Sequence, residues 1–210
     1  MKHCLLVFAA VLALAISVPA SAQYMFIDTN RDGFCTSSDV LTSGTDSVDV
    51  WLVTNQDKNG NPVLCPSGEP LSMSSYTFIL SAPGGGVGYS NTPLGSFGWS
   101  DRVGFAANAG GGQAGNDVWI AKHGGGVILP PGKYWLGTLD VTVTGSNPTL
   151  QVVASTSIDA TAITSFGSLC AGPVFDYTMT LGRDWNDVCG TASATPTSET
   201  TWGKIKAMYR

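Results

Sequence analysis

Short apolar segments, separated by clusters of Gly, Pro, Asn and Ser, make up most of the chain after residue 46. Apolar and polar positions in these segments alternate with a period near two, which is typical of half-buried β-strands and not of helices. No long amphipathic helix pattern follows residue 22. The segments expected to form strands are Ser47–Val53, Ser75–Leu80, Asp117–Ala121, Lys133–Thr144 and Thr149–Ser155.

The fourth of these segments has the clearest alternation. Its predicted faces carry Trp135, Leu139, Val141 and Val143 on one side and Tyr134, Thr138, Asp140 and Thr142 on the other. Three glycine-rich stretches, Pro83–Gly88, Gly110–Gly115 and Gly124–Gly126, lie between strands and predict loops. Together these features predict an all-β fold, an antiparallel β-sandwich spanning residues 46–191.

The first 22 residues have the pattern of a secretory signal peptide. Lys2 supplies a basic start, Leu5–Val18 an apolar core and Ala20–Ala22 a small-residue cleavage site. The apolar core is short for a membrane span, and no other segment is long and apolar enough for one. We therefore expect a secreted or cell-surface protein. Residues 23–45 would form an N-terminal segment before the sandwich, and residues 192–210 a Ser/Thr linker with a C-terminal tail.

Charged residues are few, and most of them are acidic. The full chain has 10 basic and 15 acidic residues, a net charge of −5, and removing Lys2 with the leader makes it −6. An acidic surface repels nucleic acid and anionic membranes, so we expect neither as a partner.

Four cysteines follow the leader, namely Cys35, Cys65, Cys170 and Cys189. An even number in an exported chain favours two disulfides. Three pairings are possible, and Cys35–Cys65 with Cys170–Cys189 is favoured because each bond closes a modest loop. A zinc site is the alternative, but this part of the chain has no C-x-x-C pair and a single histidine.

Residues 28–39 have the ligand spacing of a calcium-binding loop, with Gly33 at the sixth position for the sharp turn. A hard cation requires six or more oxygen ligands, and this one segment supplies them. A surface turn rich in Asp and Asn is the alternative. The expected metal ligands are the side chains of Asp28, Asn30, Asp32, Thr36 and Asp39 and the backbone carbonyl of Phe34.

This segment resembles the calcium loop of dockerin modules, which open with Asp-x-Asn-x-Asp-Gly and close with Asp. The resemblance implies calcium-ligand roles for the same residues. It does not imply dockerin docking, because a dockerin carries two such loops, each followed by a helix. Here Thr42-Ser43-Gly44 stops any helix soon after the loop.

The order of features from about Ser47 to Ser155 is similar to that of a cohesin-like sandwich. An early Val-Asp-Val-Trp-Leu-Val strand is followed by Tyr-Thr-Phe-Ile-Leu and by glycine-rich loops. The long strand Pro-Gly-Lys-Tyr-Trp-Leu-Gly-Thr-Leu-Asp-Val-Thr-Val comes last. This similarity implies a jelly-roll-like binding or scaffold module.

No set of catalytic residues stands out. His123 lies beside three glycines, and the chain has no G-x-S-x-G motif. A pair of carboxylates brought together by the fold stays open, because such a pair is a spatial feature. We therefore expect a calcium-binding protein with a binding, adhesion or scaffold role, and not an enzyme.

Tryptophan supplies the main alternative. Exposed aromatic rings on a sandwich stack on sugars, and Trp99, Trp119 and Trp185 are candidates, although each could equally lie in the core. A carbohydrate-binding module is thus the first alternative function, and a secreted hydrolase is a less favoured one. The expected partner is an extracellular protein or glycan.

Overall fold

The computed structural model describes residues 23–57, 60–65, 68–90, 98–105, 107–144, 148–153, 164–168, 177–180 and 191–193. The predicted signal peptide and the predicted C-terminal tail after residue 193 lie outside these residues. The described part of the chain forms strands and contains no helix. No helix in it is therefore long and apolar enough to cross a membrane.

The described residues form twelve strands. They are β1 (Tyr24–Asp28), β2 (Ser47–Val53), β3 (Ser75–Ser81), β4 (Val87–Tyr89), β5 (Trp99–Asp101), β6 (Ala107–Ala114), β7 (Asp117–His123), β8 (Lys133–Val143), β9 (Thr149–Val152), β10 (Ser165–Ser168), β11 (Tyr177–Thr180) and β12 (Thr191–Ser193).

The strands form two antiparallel sheets. The first sheet has the order β1-β2-β8-β4, and β5 also pairs with β8. The second has the order β11-β10-β3-β7-β6, with β9 joining β3 to β12. Every pairing between these strands is antiparallel, so the all-β, antiparallel prediction is confirmed.

One hydrophobic core joins the two sheets, as in a β-sandwich. The first sheet contributes alternate residues of β2, namely Val48, Val50 and Leu52, while the second contributes Tyr76, Phe78 and Leu80 of β3. Alternate residues point to opposite faces of a strand, so Asp49 and Trp51 project from the outer face of the first sheet.

The five predicted strands correspond to β2, β3, β7, β8 and β9, and the bounds of β2 match the prediction. The loop predicted at Gly110–Gly115 is wrong, because Gly110–Gly112 lie within β6. These glycines leave room for a neighbouring ring, since a Cβ at Gly112 would lie 2.4 Å from Nε1 of Trp119. A lack of side chains here accommodates a tryptophan and does not end the strand.

The predicted faces of β8 are wrong at the start of the strand. Val50 pairs with Gly137 while Trp51 pairs with Trp135, so the register shifts and Leu136 is the extra residue of a β-bulge. The bulge turns Leu136 into the core and leaves Trp135 on the outer face with Thr138 and Asp140. Tyr134 packs against the core instead.

Candidate calcium loop and the adjacent cleft

The carboxylates at the two ends of the predicted calcium loop hold its backbone. Asp28, the last residue of β1, is fully buried and accepts hydrogen bonds from the backbone N–H groups of Arg31 (2.6 Å) and Gly33 (2.7 Å). Asp39 is also buried and accepts from the N–H groups of Thr29 (3.0 Å) and Thr36 (2.8 Å). The two carboxylates therefore fix residues 28–39 as one folded loop.

The inner positions of the loop form a chain of tight turns. Asn30 Oδ1 accepts from the N–H of Asp32 (3.1 Å), and Asp32 Oδ1 accepts from the N–H of Phe34 (2.7 Å). Gly33 has a φ of +78°, a left-handed conformation that favours glycine, at the sixth position where a sharp turn was predicted. The sharp turn is therefore present at the expected residue.

The two buried carboxylates of the loop repel each other. Burial raises the pKa of Asp39, and the negative charge of Asp28 raises it further, although three backbone N–H groups partly oppose the shift. A carboxylate has about four lone-pair sites, so each of these groups has acceptor capacity beyond its two N–H partners.

The full set of predicted ligands stays a prediction. The described residues contain no group of three or more His, Cys, Asp or Glu side chains arranged to hold a metal ion. The predicted ligand set includes three carboxylates, Asp28, Asp32 and Asp39, and these do not form such a group in the described structure. The Phe34 ring itself is exposed and lies near the Lys133 ammonium.

The predicted disulfides are only partly within the described residues. Cys35 and Cys65 are each disulfide-bonded, but the described residues do not identify the partner of either. Cys170 and Cys189 lie outside these residues. The pairing of Cys35 with Cys65 therefore stays a prediction.

The other residues singled out in the sequence lie apart from the loop. His123 is exposed at the end of β7, in the second sheet. Trp99 is buried in the core, Trp119 packs over the glycines of β6, and Trp185 lies outside the described residues. Neither Trp99 nor Trp119 lines the cleft described next.

A cleft of about 580 Å³ opens on the outer face of the first sheet, beside the loop. Its floor is formed by β2 and β8, the predicted calcium loop lies at one edge, and β5 with Arg102 lies at the other. The lining residues are Arg31, Asp32, Gly33, Asp49, Trp51, Ser100, Arg102, Trp135, Thr138 and Asp140.

An aromatic row crosses the floor of the cleft. Trp51 and Trp135 are paired across β2 and β8, with ring centroids 6.0 Å apart and ring planes 17° from parallel. Phe26 of β1 continues the row, with its centroid 6.1 Å from that of Trp51. The guanidinium of Arg102 lies 4.9 Å from the centroid of Trp135.

A polar row lies next to the aromatic row. The Thr138 hydroxyl donates to Asp49 Oδ1 (2.7 Å), and the Arg31 guanidinium approaches the same oxygen at 3.8 Å. Burial raises the pKa of Asp49, and the hydrogen bond from Thr138 and the charge of Arg31 offset only part of this effect. Asp49 is thus a buried carboxyl group at the base of an open cleft.

The loop of residues 28–39 forms one wall of this cleft. Arg31 bridges from the loop to Asp49 and also donates to the Ser47 hydroxyl. A Cβ at Gly33 would contact the Trp51 ring at 3.5 Å, and the Gly33 carbonyl accepts a hydrogen bond from Lys133. The shape of the cleft therefore depends on the conformation of the loop.

Sequence reasoning identified the loop but missed the cleft. One signal was available in β2, because Asp49 and Trp51 occupy the outward positions between the inward residues Val48, Val50 and Leu52. The position of Trp135 gave no such signal, since it depends on the bulge. No protein-family model, curated protein or solved structure matches this chain.

Proposed function

We propose that this chain is a secreted or cell-surface calcium-binding β-sandwich protein that binds a partner outside the cytoplasm. The loop of residues 28–39 would hold calcium with the ligand set of the dockerin loop that it resembles. The sandwich would act as a cohesin-like or jelly-roll-like binding or scaffold module. The alternation of its strands and the single core between its sheets support this proposal.

The observation that carries the proposal is that one loop belongs both to the predicted calcium site and to the wall of the cleft. The segment with the calcium-ligand spacing also lines the cleft through Arg31, Asp32 and Gly33. A calcium ion would fix this wall by linking Asp28 and Asp39. With its shell closed by protein oxygens it would act as a structural clamp, leaving no position for a substrate.

Calorimetric titration of the protein that starts at Gln23 tests the calcium site. With a single loop closed by Asp, we expect a dissociation constant on the order of 10⁻⁴ M, as in extracellular modules. At 100 times that concentration, selective binding to the folded state adds about 2.7 kcal/mol to the free energy of unfolding. The melting temperature should rise accordingly.

Two variants control this experiment. Asp28→Ala combined with Asp32→Ala removes two predicted ligands and should abolish both the heat of binding and the thermal shift. Asp140→Asn removes an acidic side chain on the same face but outside the loop, and should leave calcium binding unchanged. The absence of calcium binding by the wild type, or equal binding by the double variant, would refute the calcium site.

A hydrolase is the second candidate, because Asp49 and Asp140 share one cleft and glycoside hydrolysis uses two carboxyl groups. The raised pKa of Asp49 is a property expected of a general acid. A screen with glycan, ester and peptide substrates tests this function. Turnover that survives purification and is lost in Asp49→Asn would replace the non-enzymatic proposal.

A further inference from the structure

We propose that the cleft between the calcium loop and Arg102 is a binding site for neutral carbohydrate. The inference rests on the proposed recognition role and names its ligand class. The cleft volume of about 580 Å³ falls within the range of small-molecule sites, about 300–1,000 Å³. The cleft can therefore enclose a short stretch of a glycan.

The floor suits the apolar face of a sugar ring. A pyranose presents C–H groups on one face and hydroxyl groups around its rim, so it is recognised by aromatic rings together with polar side chains. Trp51 and Trp135 are half-buried neighbours that lie nearly parallel on two adjacent strands. They give the floor an apolar strip, with the Lys133 ammonium 4.8 Å from the Trp51 centroid and the Arg102 guanidinium 4.9 Å from the Trp135 centroid.

The walls offer both donors and acceptors for hydroxyl groups. Arg102 and Ser100 are exposed on the β5 side and can donate hydrogen bonds, while Asp140 is an exposed acceptor at the same side. Asp32 is a second exposed acceptor, on the loop side. A hydroxyl group both donates and accepts, so a polyol can satisfy all these groups at once.

The balance of charge favours a neutral ligand. Among the residues that the structure describes, two arginines and three aspartates line the cleft: Arg31, Arg102, Asp32, Asp49 and Asp140. An anionic ligand would be brought close to the three carboxylates, and a cationic ligand close to the two guanidinium groups. Like charges in close contact are unfavourable, so neither class fits the whole site.

The backbone of the floor argues against an extended peptide as the ligand. Peptides that add to a sheet pair with an exposed edge strand. β2 is paired with β1 and β8, and β8 is paired with β2, β4 and β5, so neither strand of the floor is an edge. Recognition in this cleft must therefore come from side chains.

Titration with neutral oligosaccharides in saturating calcium tests the inference. Suitable probes are the hexasaccharides of cellulose, xylan, mannan and β-1,3-glucan, followed by a glycan array that also carries sulfated glycans. We expect saturable binding of at least one neutral glycan. Trp135→Ala should weaken that binding by about tenfold or more, because it removes an aromatic surface from the floor.

Matched variants distinguish a specific loss of cleft contacts from a general effect of substitution on the protein. Trp119→Ala removes a tryptophan from the outer face of the other sheet and should leave glycan affinity unchanged. Asp140→Ala tests the wall of the cleft independently of Trp135, because substitution of an exposed residue has little effect on folding. Asp140→Ala should also weaken binding.

Three outcomes would overturn the inference: no glycan binding by the folded, calcium-loaded protein, binding of sulfated glycans alone, or affinity unchanged in both Trp135→Ala and Asp140→Ala. If calcium still binds and stabilises the protein in any of these cases, the proposed ligand class is wrong, but the proposed calcium-binding module is unaffected. Turnover of a bound glycan would instead refute the non-enzymatic role and leave the ligand class intact.

Discussion

At the scale of single residues, the Thr138–Asp49 hydrogen bond is the most buried polar contact of the cleft. Thr138→Val keeps the shape of the side chain but removes the donor, so the buried carboxylate loses a partner. We expect a loss of about 1–3 kcal/mol in the free energy of unfolding. Urea denaturation measures this change.

Thr142→Val is the matched control for this prediction. Thr142 lies on the same strand and is exposed, so its substitution should change stability by less than about 0.5 kcal/mol. Equal effects of the two substitutions would show that the Thr138 hydroxyl contributes nothing specific.

The raised pKa of Asp49 predicts how stability depends on pH. A folded-state pKa above the ordinary value of 3.8 means that the folded protein holds the proton more tightly than the unfolded chain does. The stabilising contribution is therefore complete below pH 3.8 and is lost as pH rises through the folded-state pKa. Asp49→Asn has no proton to lose and should not show this decline.

Unfolding curves of the wild type and Asp49→Asn, recorded on calcium-free protein in calcium-free buffer between pH 3 and pH 7, test this prediction. Prior removal of calcium keeps it from contributing to the wild-type curve. We expect the stability of the wild type relative to the variant to fall with increasing pH and then to level off. Parallel curves would contradict the assigned pKa shift.

At the scale of elements, the bulge in β8 makes the cleft possible, and Gly137 lies beside it. A Cβ at Gly137 would lie 2.4 Å from the Ser100 carbonyl oxygen and 2.5 Å from Cζ2 of Trp99. A backbone carbonyl cannot move aside as a flexible side chain can. Gly137→Ala should therefore separate β5 from β8 and lower stability by about 1–3 kcal/mol.

Gly88→Ala provides the control, because Gly88 also lies in a strand of the first sheet and its Cβ would be 3.8 Å from the nearest atom. We expect that variant to be neutral or slightly stabilising. Thermal unfolding of both variants distinguishes crowding at Gly137 from a general effect of replacing glycine. A neutral Gly137→Ala would mean that β5 does not pack closely against β8.

The elements differ in how far the sequence predicts them. Strands with regular alternation, such as Ser47–Val53, follow from local pattern because one face must be buried. The strand β6 does not, since Gly110 and Gly112 are explained by the Trp119 ring on the neighbouring strand. Trp135 is the same kind of case, because a bulge one residue away decides which face it occupies.

The candidate site likewise has one part that the sequence predicts and one part that it does not. The loop of residues 28–39 is visible in sequence as a calcium-loop pattern because its expected ligands lie within twelve consecutive residues. The cleft is built from four separate segments, the loop, β2, β5 with Arg102, and β8, and it forms only after the sheet is assembled. Spacing along the chain carries no information about such a juxtaposition.

At the scale of the whole molecule, the covalent frame is testable directly. Peptide mapping of unreduced protein should find Cys35 joined to Cys65 and Cys170 joined to Cys189. Each bond should stabilise the fold by about 2–4 kcal/mol, mainly by restricting the unfolded chain. Either of the other two pairings would correct the connectivity, and free thiols at all four positions would refute the disulfide frame.

The last prediction concerns the connection between calcium and the cleft. Calcium would fix Asp28, whose carboxylate holds the backbone of Arg31 and Gly33, and these two residues form a wall of the cleft. Binding of a ligand in the cleft and binding of calcium should therefore favour each other. Calcium should tighten ligand binding by about fivefold or more, and the ligand should tighten calcium binding by the same factor.

Arg31→Asn tests this connection without removing a predicted calcium ligand. Asn tolerates the left-handed conformation at residue 31, where φ is +61°, but it cannot reach across to Asp49 and Ser47 as the guanidinium does. Calcium affinity should persist in this variant while the coupling factor falls toward one.

Amide hydrogen exchange tests the same connection without a cleft ligand. Calcium should slow exchange at residues 29–36 in both the wild type and Arg31→Asn. It should slow exchange in the β2 strand more strongly in the wild type than in the variant. Unchanged coupling in Arg31→Asn would mean that the loop and the cleft are neighbours that act independently.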